Sequence, residues 1–255
     1  MLEVFRRKCV STPAVLLAAF LFLASAAWAR VPEPYQIEPV QLDPAAKLPK
    51  TLTDGLDPQG LRLFTFENGV RMNVCDIFWA KSVSGQEASP TAGKSPSPKL
   101  VYGNLRPGAF VGVIHFLPEA DQEYRKDFRN QKLKPGYYTL RYGVMEAGIG
   151  EHGPVPGDFA VLAPVALDTN YARAVSKTEL LRLSRAASHT KDPAVMSLIE
   201  VTVARKDFPD VSTDYAGTCV LQVKLHMKAK KGETAGQEMA MAIVVETPLE
   251  EGEGS

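Results

Sequence analysis

Apolar and polar residues alternate along most of the chain between residues 59 and 247, and the period is two, as a β-strand with one buried face requires. The clearest run is "YYTLRYGV" (137–144), where Tyr138, Leu140, Tyr142 and Val144 share one face and Thr139 and Arg141 the other. In "TCVLQVKLHMKAK" (218–230), Cys219, Leu221, Val223, Leu225 and Met227 point one way, and Gln222, Lys224, His226 and Lys228 the other. Further strands are predicted at 61–66, 70–80, 100–105, 158–165, 196–205 and 239–247. "AFVGVIHFL" (109–117) is apolar on both faces, as a covered central strand would be. Between the first two runs stands Asn68-Gly69, a hairpin signal because both residues tolerate positive φ. Cys75 falls out of step with Val70, Met72 and Val74, which predicts a bulge or an opposite-facing cysteine.

One helix is marked. Ser176 and Glu179 form a capping box, Val175 and Leu180 can staple its start, and Leu180, Leu183 and Ala187 make a narrow apolar stripe ending near Ser188. Many strands, short connections and no βαβ alternation predict a mainly β protein. The expected fold is an antiparallel β-sandwich, immunoglobulin-like or jelly-roll-like, with one docked short helix.

The remaining segments break the pattern. Residues 1–29 carry Arg6, Arg7 and Lys8, then an apolar run and Ala27-Trp28-Ala29, the signature of a secretory signal peptide cleaved after Ala29. The apolar run falls short of the ~20 residues of a spanning helix. Residues 30–58 are proline-rich and read as a partly ordered arm. Residues 81–99 read as a flexible insertion loop, and 248–255 as an acidic tail. The expected location is therefore periplasmic or extracellular, with no transmembrane span in the mature chain.

The full chain has 29 basic and 29 acidic residues; loss of the leader leaves 26 and 28. A net charge near −2 attracts no nucleic acid. An envelope protein or a small ligand is the expected partner. The same loss leaves Cys75 and Cys219, an even pair that an oxidising compartment permits to bridge, though two buried thiols fit the sequence equally.

Three polar groupings are candidates for chemistry. The loop "GEHGPVPGDF" sets His152 and Asp158 among glycines, where backbone can approach a ligand. Tyr124 and Arg125 lie in a charged segment able to grip a carboxylate or sugar. Arg141 stands on the polar face of its strand. Tyr124, Arg125, Arg141, His152 and Asp158 are thus the expected binding surface, and no cofactor is expected. The alternative is a metal-assisted hydrolase in which His115, His152 and Asp158 hold a divalent ion; it requires the three to converge. A third reading is a structural envelope protein that associates through edge strands. No nucleophile elbow, P-loop or C-x-x-C motif is present.

The order Pro135-Gly136, Tyr138-Thr139-Leu140-Arg141-Tyr142-Gly143, His152-Gly153 and Asp158-Phe159 resembles a group of uncharacterised exported bacterial proteins. In that group a PG-x-YTLRYG strand precedes a Gly-His loop and an Asp-Phe strand. The resemblance covers about a quarter of the chain and implies export but no activity. The "LxPGxY" element is also similar to the strand entry of immunoglobulin-like sandwiches, which implies that Tyr138 bonds back to backbone as a corner tyrosine.

Overall fold

The computed structural model describes residues 34–86, 100–118, 124–145, 157–201, 207–214, 217–229 and 236–246. The expected leader, most of the 81–99 insertion, the loop carrying His152 and the acidic tail lie outside them.

The protein is mainly β and antiparallel. Its strands are β1 (Tyr35–Gln41), β2 (Gln59–Glu67), β3 (Val70–Trp79), β4 (Phe110–Phe116), β5 (Arg125–Lys126), β6 (Lys132–Leu133), β7 (Gly136–Met145), β8 (Gly157–Pro164), β9 (Val195–Ile199), β10 (Asp210–Thr213), β11 (Cys219–His226) and β12 (Glu238–Glu246). Ten of them form one sheet in the order β1-β2-β3-β4-β7-β8-β9-β12-β11-β10, and β5 pairs with β6 alone. The first seven positions are a meander. Strands β9 to β12 form a Greek key, since β12, not β10, lies beside β9. The sheet turns back on itself until its two edge strands, β1 and β10, pack together. The sandwich thus has two facing layers made from one sheet, in place of the two separate sheets of an immunoglobulin domain.

The alternating faces meet inside. Leu63, Cys75, Ile77 and Ile114 from one part of the sheet share a core with Leu140, Leu162, Leu221, Val223 and Ile243 from the rest. Asn68 and Gly69 both adopt positive φ (51° and 78°), as a tight hairpin twisted like its strands requires. The predicted bulge is present: Leu63 pairs with Cys75 and Phe64 with Asn73, so Val74 is the extra residue that puts Cys75 inside.

Helix α1 (Lys50–Thr53) is a single turn, and α2 (Lys177–Ser188) is the predicted helix. The Ser176 side chain accepts from the Glu179 amide, and His189 ends the helix in the left-handed region. Arg173 and Arg182 bind Glu179 and hold its carboxyl down at about 2. Leu180 and Leu183 pack on Phe159 and Val161 outside β8. A methyl at Gly143 would lie 2.6 Å from the Val161 side chain, so only glycine fits beneath the docked helix.

Three expectations are refined or corrected. Within residues 30–58, expected to be a partly ordered arm, residues 35–41 form a strand paired with β2, and Leu52 and Leu56 are buried in the core. Residues 100–105 are a turn, not a strand. The start of the 81–99 segment is fastened, because Val83 is fully buried and pairs with Met227 in a parallel bridge. The corner tyrosine holds: Tyr138 Oη donates to the Lys134 carbonyl at 2.7 Å.

The residue that secures the long 165–175 connection is Arg141. Both it and Asp168 are fully buried. Arg141 Nε and Nη2 donate to the two Asp168 oxygens at 2.6 and 2.9 Å, and Thr139 Oγ1 donates to the same carboxylate at 2.7 Å. The carbonyls of Gly108, Asn170 and Arg173 take the remaining contacts. Removing one member strands a buried charge. Asp168→Ala is therefore expected to lower the unfolding free energy by about 3–5 kcal/mol in chemical denaturation, while a same-size apolar replacement of both partners recovers much of the loss.

Candidate functional site

The polar residues singled out by the sequence do not gather into one site. Asp158 is buried and accepts from the amides of Val101 (2.6 Å) and Tyr102 (3.1 Å) and from Tyr142 Oη (2.5 Å). Burial, then this bond, pushes the Tyr142 phenol far up. Tyr102 in turn donates to the Ile199 carbonyl and accepts from the Ala242 amide, and its burial raises it to about 12. Asp158 thus pins the 100–105 turn against β9 and β12. Arg141 has its donors committed to Asp168 and backbone, so it has none for a ligand. Arg125 is nearly buried, with Nη2 donating to the Asn73 carbonyl at 2.9 Å. Tyr124 is exposed and lies under Lys132 Nζ at 4.1 Å. His152 lies outside the described residues.

His115 and Asp158 are kept apart by the sheet. Both neighbour β7, but His115 pairs with Tyr137 and Asp158 with Val144. Seven residues of strand separate those positions by roughly 23 Å and place them on opposite faces. The pair required by the metal reading therefore does not form, and no group of three potential ligands occurs among the described residues. His115 belongs instead to a row of cross-strand partners: Arg62, Asp76, His115 and Tyr137 on β2, β3, β4 and β7. Arg62 grips both Asp76 oxygens at 2.7 and 2.8 Å, His115 Nδ1 lies 4.0 Å from Asp76 Oδ2, and the Tyr137 ring stacks on His115 at 3.9 Å.

Of the two readings the sequence left open for Cys75 and Cys219, the structure shows two fully buried thiols and not a bridge. Burial raises the Cys75 thiol well up, and the neighbouring Cys219 adds to it.

A pocket of about 350 Å³ opens where β1 meets β10. Pro39 of β1 and Pro209, just before β10, line it together. Proline has no N–H to complete a ladder, so these two facing edges cannot zip at this point. Inward side chains line the gap: the partly buried Leu61 from β2 and Trp79 from β3, and the almost fully buried Val223 from β11. Phe208 forms a second aromatic wall, and Lys224 Nζ lies 5.5 Å from its ring centre. Asp57 and Gln59 complete a polar rim. Trp79 Nε1 is buried and has no hydrogen-bond partner among the described residues, and a buried donor left unmatched is costly. A pocket of this size, mostly apolar with a few convergent polar groups, has the character of a small-ligand site.

No part of this pocket stood out in the sequence. The available signal was proline inside strand-like surroundings at 39 and 209, which marks a sheet edge. No protein-family model matches the chain, and neither a curated protein nor a solved structure matches it.

The row containing His115 has a measurable consequence. Burial lowers the His115 pKa below the ordinary 6.5, against a smaller opposing effect of Asp76. The unfolded chain therefore takes up this proton at a higher pH than the folded one. Stability is full above 6.5 and falls as the pH drops through that value. His115→Gln is expected to flatten the fall that sets in as the pH drops through 6.5 in denaturation profiles.

Proposed function

We propose that this is an exported protein of the periplasm or cell envelope that binds a small ligand without catalysis, using the pocket between β1 and β10. The observation that carries this reading is that pocket: preformed, mostly apolar and walled by Trp79, Phe208, Leu61 and Val223. The leader-like residues 1–29 and the PG-x-YTLRYG resemblance support export. The separation of His115 from Asp158 weighs against the metal-assisted hydrolase. Association through open edge strands is weakened by the packing of β1 on β10, which turns the edges toward each other.

The ligand suited to such walls has a flat apolar body that can lie against the Trp79 and Phe208 rings, with a polar group for the Asp57, Gln59 and Lys224 rim. The sequence has two tryptophans, Trp28 and Trp79, so a chain beginning at Arg30 carries one tryptophan, at the site. Titration with anilinonaphthalene sulfonate is expected to shift Trp79 emission and to transfer its energy to the dye at one-to-one stoichiometry. Leu61→Trp, which fills the gap from a partly buried position in its wall, is expected to weaken dye binding about tenfold or more. Unchanged Trp79 emission at saturating dye would reject the pocket as the site.

A further inference from the structure

A second pocket, of about 190 Å³, lies between the 82–84 segment, the Pro107-Gly108 turn, residues 171–175 and the end of β11. Its lining holds four cations, Arg106, Arg141, Arg173 and Lys228, and no carboxylate. Two of the four have a carboxylate partner outside the lining, and Arg173 shares its partner with Arg182. Arg141 is bound to buried Asp168, and Arg173 Nη2 donates to Glu179 at 2.8 Å. Arg106 and Lys228 have no side-chain partner among the described residues. Among the described residues, neither of these two charges has a carboxylate partner. Ser82 and Ser84 add hydroxyl donors from the facing side.

The backbone fixes this placement. The Arg106 amide donates to the Ser84 carbonyl at 3.1 Å, and the Lys228 amide donates to the Val83 carbonyl at 2.8 Å. Both cations are therefore tied to the same short segment, which also carries the two serines. Arg141, fully buried beneath them, makes the floor rigid. Like charges brought together in a concave site raise the local potential, and that cost is relieved by a bound anion.

We propose that this pocket binds a compact dianionic oxyanion, with the chemistry of a phosphate or phosphomonoester, between Arg106 and Lys228. Charge balance selects a dianion, the serine hydroxyls select an acceptor-rich group, and the volume limits the ligand to a small one. The site is separate from the β1–β10 pocket and does not depend on the ligand-binding role given to it.

The test is calorimetric titration of the full mature chain in low salt with inorganic phosphate and, separately, with glycerol 3-phosphate, against chloride at equal ionic strength. Saturable binding of one or both is expected, and it should weaken as salt is added. Tighter binding of glycerol 3-phosphate would assign a phosphomonoester, and tighter binding of phosphate the free oxyanion. Arg106→Gln and Lys228→Gln are each expected to reduce affinity about tenfold without moving the melting temperature of the free protein. Lys126→Gln, an exposed cation on β5, should leave it unchanged. The proposal is overturned if neither ligand binds more tightly than a Kd of about 10 mM. Equal binding of chloride, or equal loss in Lys126→Gln, would overturn it too.

Discussion

A proline at a sheet edge has no N–H to offer a neighbouring strand, and this protein places one on each side of the line where its sheet meets itself. Everything else about the sheet favours closure. Ten strands run antiparallel, their inward faces share one core, and the first and last strands pack together. Pro39 and Pro209 withhold the hydrogen bonds that would finish the job. The result is a gap at which Leu61, Trp79 and Val223, core residues by pattern, line a pocket. Core burial and the opening therefore have one cause: the alternation that builds the interior also furnishes the pocket walls.

Buried polar groups act in this fold mainly as fasteners for irregular chain. Asp168 with Arg141 holds residues 165–175. Asp158 holds the 100–105 turn. Asp127 accepts from the amides of Arg129, Gln131 and Val195 and so ties the β5–β6 hairpin to β9; its burial still raises its carboxyl above the usual range. Asp158 and Asp127 satisfy backbone donors directly, and Asp168 holds Arg141, whose guanidinium satisfies the carbonyls of Gly108, Asn170 and Arg173; this is the requirement any buried loop must meet. The same stereochemistry makes these residues look like ligand-binding groups when only the sequence is read.

That explains which parts were legible. The β2–β3 hairpin, the capped helix α2, the bulge near Cys75 and the Tyr138 corner are written in local signals, because each depends on residues a few positions apart. The strand β1 was hidden by Pro39 and the prolines flanking it, which an edge strand tolerates but an arm also shows. The four residues of β10 are too few for a period to register. Residues 100–105 read as a strand because Val101, Tyr102 and Leu105 are apolar, and nothing local reveals that Asp158, 57 positions from Val101, bends them into a turn. The two pockets were illegible for the same reason. Trp79 meets Phe208, and Arg106 meets Lys228, only through the closure of the sheet.

Amide hydrogen exchange along β1 tests the open seam most directly. In an edge strand, alternate amides point to the one neighbour and the rest point away. We expect one alternating set in residues 35–41 to be protected by β2, and the other to exchange near the rate of unpaired amides around Pro39. Uniform protection of both sets in β1, matched in β10, would mean that the sheet is zipped shut, and would contradict the account.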